Sequence, residues 1–387
     1  MNNDFAPMGQ AYGLRRDNFI LDPVEDTACF ARNDINTHSI AESLDIDLVT
    51  QLAPKRLVFG PYGGGKTHTL MRTMKELEQL TPVYPVRIEC PDLAKKSRFH
   101  DLYREGIMRG LGQDFIIGII EEAVQSIGMV REAGRPMRDV LGSKLREKFG
   151  DEEIAKAALR IVDPNFDQLR LWRWISGVAM SRQDLDDLGQ TQDLTQTEAA
   201  RLAEIICLFG RLLRELRQKT LVLILDEMER LRSIGPETVT TFVSGFTRLV
   251  DPTQTSVSVL IGASAQLESE LVEVFSPKGP VASRLGADAH IEIPSLEDPD
   301  VNGFIKGVIK YLRAPDVDLP TLTSTAAATT KEKLIADFFP FTESAIDALK
   351  SHLTHMMTPR EITMKMTRAL GRAHRGKKLA VTSDCIL

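Results

Sequence analysis

The sequence is short of anything that would tie it to a membrane, to an oxidising compartment or, by bulk charge, to nucleic acid. Its 387 residues include four cysteines, Cys29, Cys90, Cys207 and Cys385. They are scattered, with no CxxC pair and no Cys/His ligand spacing, so reduced and mostly buried thiols are expected rather than a disulfide framework or a zinc site. No apolar run near the N-terminus resembles a signal peptide, and no stretch approaches the ~18 apolar residues of a membrane span. The expectation is a soluble, cytoplasmic protein with no membrane partner. Lysine and arginine number 48 against 54 acidic residues, a formal net charge of -6. No global basic field therefore draws the chain onto nucleic acid, although a local basic face stays open. Internal repeats are absent.

What is present suffices for one large α/β core and a smaller appended domain, with 43% of residues hydrophobic. Residues 1 to about 50 carry few periodic signals. Lys55 to Phe59 then reads as a strand running into Gly60–Gly65, with a helix from about Lys66 to Leu80 and a second strand over Val83–Glu89. Strand, glycine loop, helix, strand is the βαβ unit of a parallel sheet. From about 98 to 218 the pattern is helical, with Phe115, Ile116, Ile119, Ile120 and Ala123 at helical spacing. Thr195-Gln196-Thr197-Glu198 has the form of a capping box opening a helix to about Gln218. Thr220–Leu225 and Ser256–Gly262 read as strands buried on both faces, and His290–Ile293 as a short fifth strand. A helix is expected over Pro236–Leu249, a Thr/Ala turn over Thr321–Thr330, and helices elsewhere beyond Asp298.

Two motifs carry chemistry. Gly60-Pro61-Tyr62-Gly63-Gly64-Gly65-Lys66-Thr67 matches G-x-x-x-x-G-K-[ST] in full. Its glycines let the backbone wrap a phosphate, and the helix start adds its positive end. Lys66 would charge-pair the β/γ-phosphates and Thr67 would hold Mg²⁺, with His68 closing the nucleotide-binding run. A P-loop also needs an acid at the end of another core strand. Leu221–Leu225 followed by Asp226-Glu227 supplies it, Asp226 for the metal and Glu227 to polarise water. The expected cofactors are ATP and Mg²⁺, and the expected enzyme is an ATPase.

Neither the Asn-Lys-x-Asp signature of GTPases nor the Leu-Ser-Gly-Gly-Gln signature of ABC ATPases occurs. Asp-Glu is followed instead by the strand Val259–Gly262 and polar residues to Gln266, then Ser283-Arg284 before a short strand, and then Thr358-Pro359-Arg360-Glu361. That order resembles the AAA+ ATPases, especially the clade of origin-initiator and transposition-regulator proteins. The resemblance implies an α/β P-loop core with a parallel sheet, a long helical insert and a C-terminal helical lid. It also implies Ser264 (or Gln266) as a first sensor, Arg284 as an arginine finger reaching a neighbouring subunit, and Arg360 as a second sensor.

Lys66 and Asp226 lie 160 residues apart, far more than a minimal core of this kind, so a helical insert must intervene. Within it, Leu171-Trp172-Arg173-Trp174-Ile175-Ser176-Gly177 resembles a stretch in the P-loop proteins of bacterial BREX-type phage-defence loci. Packing the insert is the commoner use of such a tryptophan pair, and it is expected of Trp172 and Trp174 ahead of any special role. The domains expected are a 1–50 segment packing on the nucleotide site, a 51–296 core with its insert at about 98–218, and a 297–387 lid.

Function is expected to be ATP hydrolysis that assembles and drives a partner complex, associated with DNA in phage defence or mobile-element biology. A homo-oligomer with ATP at its interfaces, a protein partner from the same locus and double-stranded DNA are the partners to test. A rival class is a slow signalling switch that holds ATP and acts through protein partners. A small-molecule kinase fits the aliphatic Asp-Glu strand and the sensor positions poorly. Arg368, Arg372, His374, Arg375, Lys377 and Lys378 form a basic run that suits a solvated face or nucleic acid.

Overall fold

The computed structural model describes residues 8–32, 34–50, 52–128, 137–286, 289–353 and 357–386. The parts of the expected domain ranges that fall at 1–7, 33, 51, 129–136, 287–288, 354–356 and 387 lie outside the described residues.

Five strands form one sheet: β1 (Lys55–Gly60), β2 (Val83–Glu89), β3 (Thr220–Asp226), β4 (Val257–Ser264) and β5 (His290–Glu292). Their order is β2-β3-β4-β1-β5. The pairings of β2 with β3 and of β3 with β4 are parallel. Every residue of β3 is buried, as a central strand covered on both faces requires. Its five aliphatics Leu221–Leu225 are at most 1% exposed, and each contributes roughly 1.5–3 kcal/mol by burial. Pro85, which cannot donate to a ladder, sits on β2, the strand at one end of the order.

The chain divides into two compact units. The larger comprises Glu42–Val58 and Leu77–Ile291 and holds most of the sheet and the whole insert. The insert is helical throughout its main elements, including Gln113–Ile127, Gln168–Ile175 and Ala199–Arg217. Trp174 is buried there, its indole N–H donating to the Gln192 carbonyl at 3.1 Å, while Trp172 is half-buried. Gly177 (φ +77°) closes that helix, and its carbonyl accepts from His100 Nε2 at 3.0 Å. The tryptophan-containing stretch therefore packs the insert.

The smaller unit comprises Met1–Ala41, Phe59–Glu76 and Glu292–Leu387 in their described parts. It contains the glycine loop, the first turns of helix Lys66–Leu80 and the C-terminal helices Asp298–Leu312, Leu319–Ala327, Glu343–Ser351 and Pro359–Arg375. Its core joins Tyr12 and Phe19 to Phe304, Phe341, Ile346 and Met366.

Two local expectations need correction. The Thr195 hydroxyl donates to Asp193 at 2.5 Å instead of capping a helix, and the helix begins at Ala199 behind Glu198, which makes no side-chain cap. The nearby carboxylate outcompetes the backbone for that hydroxyl. The expected turn at Thr321–Thr330 is largely the helix Leu319–Ala327. Asp318 caps it by accepting from the Thr321 N–H at 3.1 Å, Pro320 sits in its first turn, and buried Ala326 anchors it.

Candidate nucleotide site

The glycine loop leaves β1 at Gly60, where an added Cβ would lie 2.1 Å from the Ile293 carbonyl oxygen. No side chain fits there. Gly63 and Gly65 hold φ of +76° and +97°, a region that strains any other residue. The Lys66 ammonium is buried and donates to the carbonyls of Gly60 at 3.2 Å and Pro61 at 2.9 Å. It is thus curled back inside the loop, where a β/γ-phosphate oxygen would compete for it. Thr67 follows it as the second residue of the helix. His68 turns elsewhere: its ring meets Phe30 edge-on at 5.8 Å, and burial lowers its pKa.

Arg360 lies far along the chain yet sits on this loop. Its backbone N–H donates to the Gly63 carbonyl at 3.3 Å, and its guanidinium lies over the Tyr62 ring, 4.9 Å from the centroid. Arg360 Nη1 also donates to the Tyr62 hydroxyl at 2.5 Å. Thr358 caps the helix that carries it. A Cβ on Gly63 would stand 2.8 Å from the Arg360 Cβ, so the glycine is what permits this approach. A cation and a 17-residue helix start are therefore presented to the loop from the C-terminal helices.

Arg32 belongs to no motif of the sequence. Its buried guanidinium donates to the Gly64 carbonyl at 2.7 Å and pairs with Asp34. It holds the loop backbone from outside, and only its contact identifies it. Lys75, later on the loop's helix, bonds the Thr27 hydroxyl.

The acidic pair belongs to the other unit. Asp226 ends β3 and is 2% exposed, with Arg87 Nη2 at 2.9 Å from its Oδ2. A buried carboxylate needs such a cation or a metal ion. The parallel register sets Glu89, the last residue of β2, directly beside Asp226. Glu227 follows in a left-handed conformation (φ 57°) that turns the chain sharply off the strand. It pairs with Arg230, which also reaches Glu89 at 2.7 Å and the Cys90 carbonyl at 2.6 Å. Burial raises the Glu227 pKa; Arg230 opposes that shift, while Glu89, Asp226 and Glu229 add to it. A carboxylate whose pKa is raised by burial and by like charges suits a general base.

Ser264 is the last residue of β4. Its hydroxyl donates to Glu229 at 2.5 Å and its backbone N–H to the same carboxylate at 2.9 Å. Arg232 bonds the Ser264 carbonyl at 3.2 Å. Gln266 lies beyond the strand and is exposed, its N–H bonded to Glu270 at 3.0 Å. Arg284 is exposed in the last turn of the short helix Pro280–Leu285 and, among the described residues, donates to the Pro280 carbonyl of its own helix at 3.4 Å; its charge also helps to lower the Asp251 pKa. Glu229, Arg230 and Arg87 were legible only as ordinary charged residues near the acidic strand. Their roles come from the sheet register and from the sharp turn at Glu227.

No protein-family model matches the chain, and no curated protein matches it. Solved structures with a similar fold include the ORC1 protein of Aeropyrum pernix in complex with DNA, at 15% identity and a TM-score of 0.42, covering 96% of this chain and 65% of that one. Drosophila ORC bound to DNA is similar at 11% identity and a TM-score of 0.45, with coverage of 100% and 66%. The Walker-type ATPase PABY2304 of Pyrococcus abyssi is similar at 12% identity and a TM-score of 0.41, with coverage of 93% and 72%. The chain spans just under two thirds of the length of the ORC1 and ORC chains.

Proposed function

We propose that this chain is an AAA+-type ATPase that couples ATP hydrolysis to the assembly of a partner complex on or beside DNA. The observation that carries this reading is Arg360, seated on a complete G-x-x-x-x-G-K-T loop by its backbone bond to Gly63. A lone phosphate-binding loop would not need a cation delivered by a C-terminal helix, whereas a nucleotide-sensing lid does. ATP·Mg²⁺ would supply the transferable phosphoryl group and a divalent charge. Gly60–Gly65 would wrap the phosphates, Lys66 and Arg360 would balance their charge, and Thr67 and Asp226 are the residues that would hold the metal. Glu227 takes a proton from the attacking water, Ser264 orients that water, and Arg284 completes the site of a neighbouring copy. Phage defence and a protein partner from the same locus are part of the proposal, resting on the likeness of the insert's Trp-Arg-Trp stretch to proteins of such loci.

A second reading, the slow-turnover switch, is favoured by one contact. Glu227 is engaged by Arg230, which holds the base away from water until something releases it. Steady-state phosphate release, with and without duplex DNA, separates the two. Turnover that disappears in Lys66→Ala and falls by roughly 100-fold or more in Glu227→Gln, with ATP binding kept in the latter, supports the ATPase. ATP binding with negligible turnover under both conditions supports the switch. Equal turnover in Glu227→Gln removes Glu227 from the role of base.

A further inference from the structure

The electrostatics of the C-terminal helices point to one surface that the nucleotide site does not use. We propose that the exposed face of helix Pro359–Arg375, continued by Lys377 and Lys331, docks on the phosphate backbone of duplex DNA without reading its sequence. The proposal rests on the DNA association proposed above and assigns it a surface.

Charge is the first argument. Residues 359–387 carry seven lysines and arginines against two acidic residues, a formal +5 in a chain whose total is -6. Geometry is the second. The helix buries Ile362, Met366, Ala369, Leu370 and Ala373, a stripe at helical spacing that fixes which face is outside. Arg368, Arg372 and Arg375 follow one another at i, i+4 and i+7 and are all exposed. At 1.5 Å of rise per residue they form a cationic row about 10 Å long. The chain then turns through Lys377, whose φ of +52° lies in the left-handed region. Lys377, Lys378 and Lys331 line a cleft of about 610 Å³ with Thr329 and Thr330.

Partnering is the third argument. The acidic groups at this cleft are already committed: Glu332 accepts from the Ser383 hydroxyl at 2.6 Å and from Thr342, and Asp384 pairs with Lys378. Among the described residues, no carboxylate pairs with Lys331, Arg368, Arg375 or Lys377. Arg372 spends one N–H on the Cys385 carbonyl at 3.0 Å, which fixes the row in place. Unopposed cations repel one another, so a row of them is a standing demand for an anion.

The surroundings choose among anions. Single-strand binders interleave cations with exposed aromatic platforms. Here the residues flanking Arg368, Arg372 and Arg375 include exposed Leu379 but no exposed aromatic among the described residues; the exposed ring of Tyr62 lies at the other end of the helix, held under Arg360. What is left is guanidinium and ammonium chemistry on a rigid helix, which suits the regular phosphates of a duplex.

The test is fluorescence anisotropy of a labelled random-sequence duplex with the full chain across salt, repeated with poly-glutamate and with a single strand of the same length. The variant is Arg368→Ala/Arg375→Ala/Lys377→Asn, asparagine being chosen because it tolerates the left-handed backbone. Arg372 is left intact. Three phosphate contacts weaken wild-type binding roughly 40-fold between 50 and 200 mM salt. The triple variant should lose roughly tenfold or more in affinity, with a salt dependence flattened by about 2.7 in logarithmic slope. Lys331→Glu, on a different segment, should weaken binding in the same direction. An ATP-binding measurement on each variant shows that the unit is folded. Unchanged duplex binding in the variants leaves DNA association standing and overturns this surface. Tighter binding of single strand than duplex, or uptake of poly-glutamate in place of DNA, overturns the duplex assignment. No duplex binding by the wild type overturns both this surface and the DNA association, while leaving the ATPase reading to its own assay.

Discussion

Charge placed beside charge governs the site at the level of single residues. Glu227 is raised by burial and by the neighbouring carboxylates, and Arg230 is the main opposing influence. The sign follows: a general base works only when ionised, so turnover should climb as pH rises through its elevated pKa. Arg230→Ala removes the opposing cation and should move the acid limb of the pH-rate profile to higher pH; a limb that stays put would assign the limiting ionisation to another group. The glycine loop and Asp226-Glu227 were readable in the sequence because both are contiguous and stand at strand ends. Arg32 was not, since its bond to Gly64 crosses 32 positions of chain with no periodic signal. Ser264 was readable as a polar strand end, but its capture by Glu229 was not, because it depends on a turn that only the folded chain makes.

At the level of elements, the strands were legible wherever they are buried on both faces. Thr220–Leu225 falls within a residue of where its aliphatic run places it, and the partly buried Val83–Glu89 was legible from its place after the loop's helix. Hydroxyl-rich helix starts were not, because serine and threonine side chains bond several neighbours with similar ease, as Thr195 does with Asp193. Packing makes a sharper forecast. Gly210 lies in helix Ala199–Arg217, where an added Cβ would be 2.4 Å from Val257 and 2.7 Å from the Ser256 carbonyl. Gly210→Ala gains about 1 kcal/mol of helix propensity. It loses about 1–3 kcal/mol to overpacking against a backbone that cannot yield, so the urea midpoint should fall. Gly371→Ala, in a helix position with nothing within 4 Å, should raise stability by about 0.5–1 kcal/mol. Opposite signs for these two glycines are the expected outcome of one denaturation series.

At the level of the molecule, Arg284 is exposed and its one hydrogen bond among the described residues is to the Pro280 carbonyl of its own helix, which leaves its guanidinium able to reach another copy. If it serves a neighbour's ATP, Arg284→Ala and Lys66→Ala should each be nearly inactive alone, yet mixing them should recover turnover, since mixed assemblies place an intact arginine beside an intact loop. A mixture no more active than its parts would rule out a shared site. The architecture as a whole was legible from motif order, because a phosphate loop and an acidic strand must belong to one sheet. The purpose of the insert was not, since its residues satisfy one another. That self-sufficiency has an optical consequence. Both tryptophans of the chain stand on one short helix of the insert, Trp174 sealed in its core and Trp172 partly open. Tryptophan emission, excited at wavelengths that tyrosine does not absorb, is therefore a reporter of the insert. Adding ATP, DNA or a lysate fraction to the unlabelled protein and watching the colour of that emission asks directly which of them the insert feels.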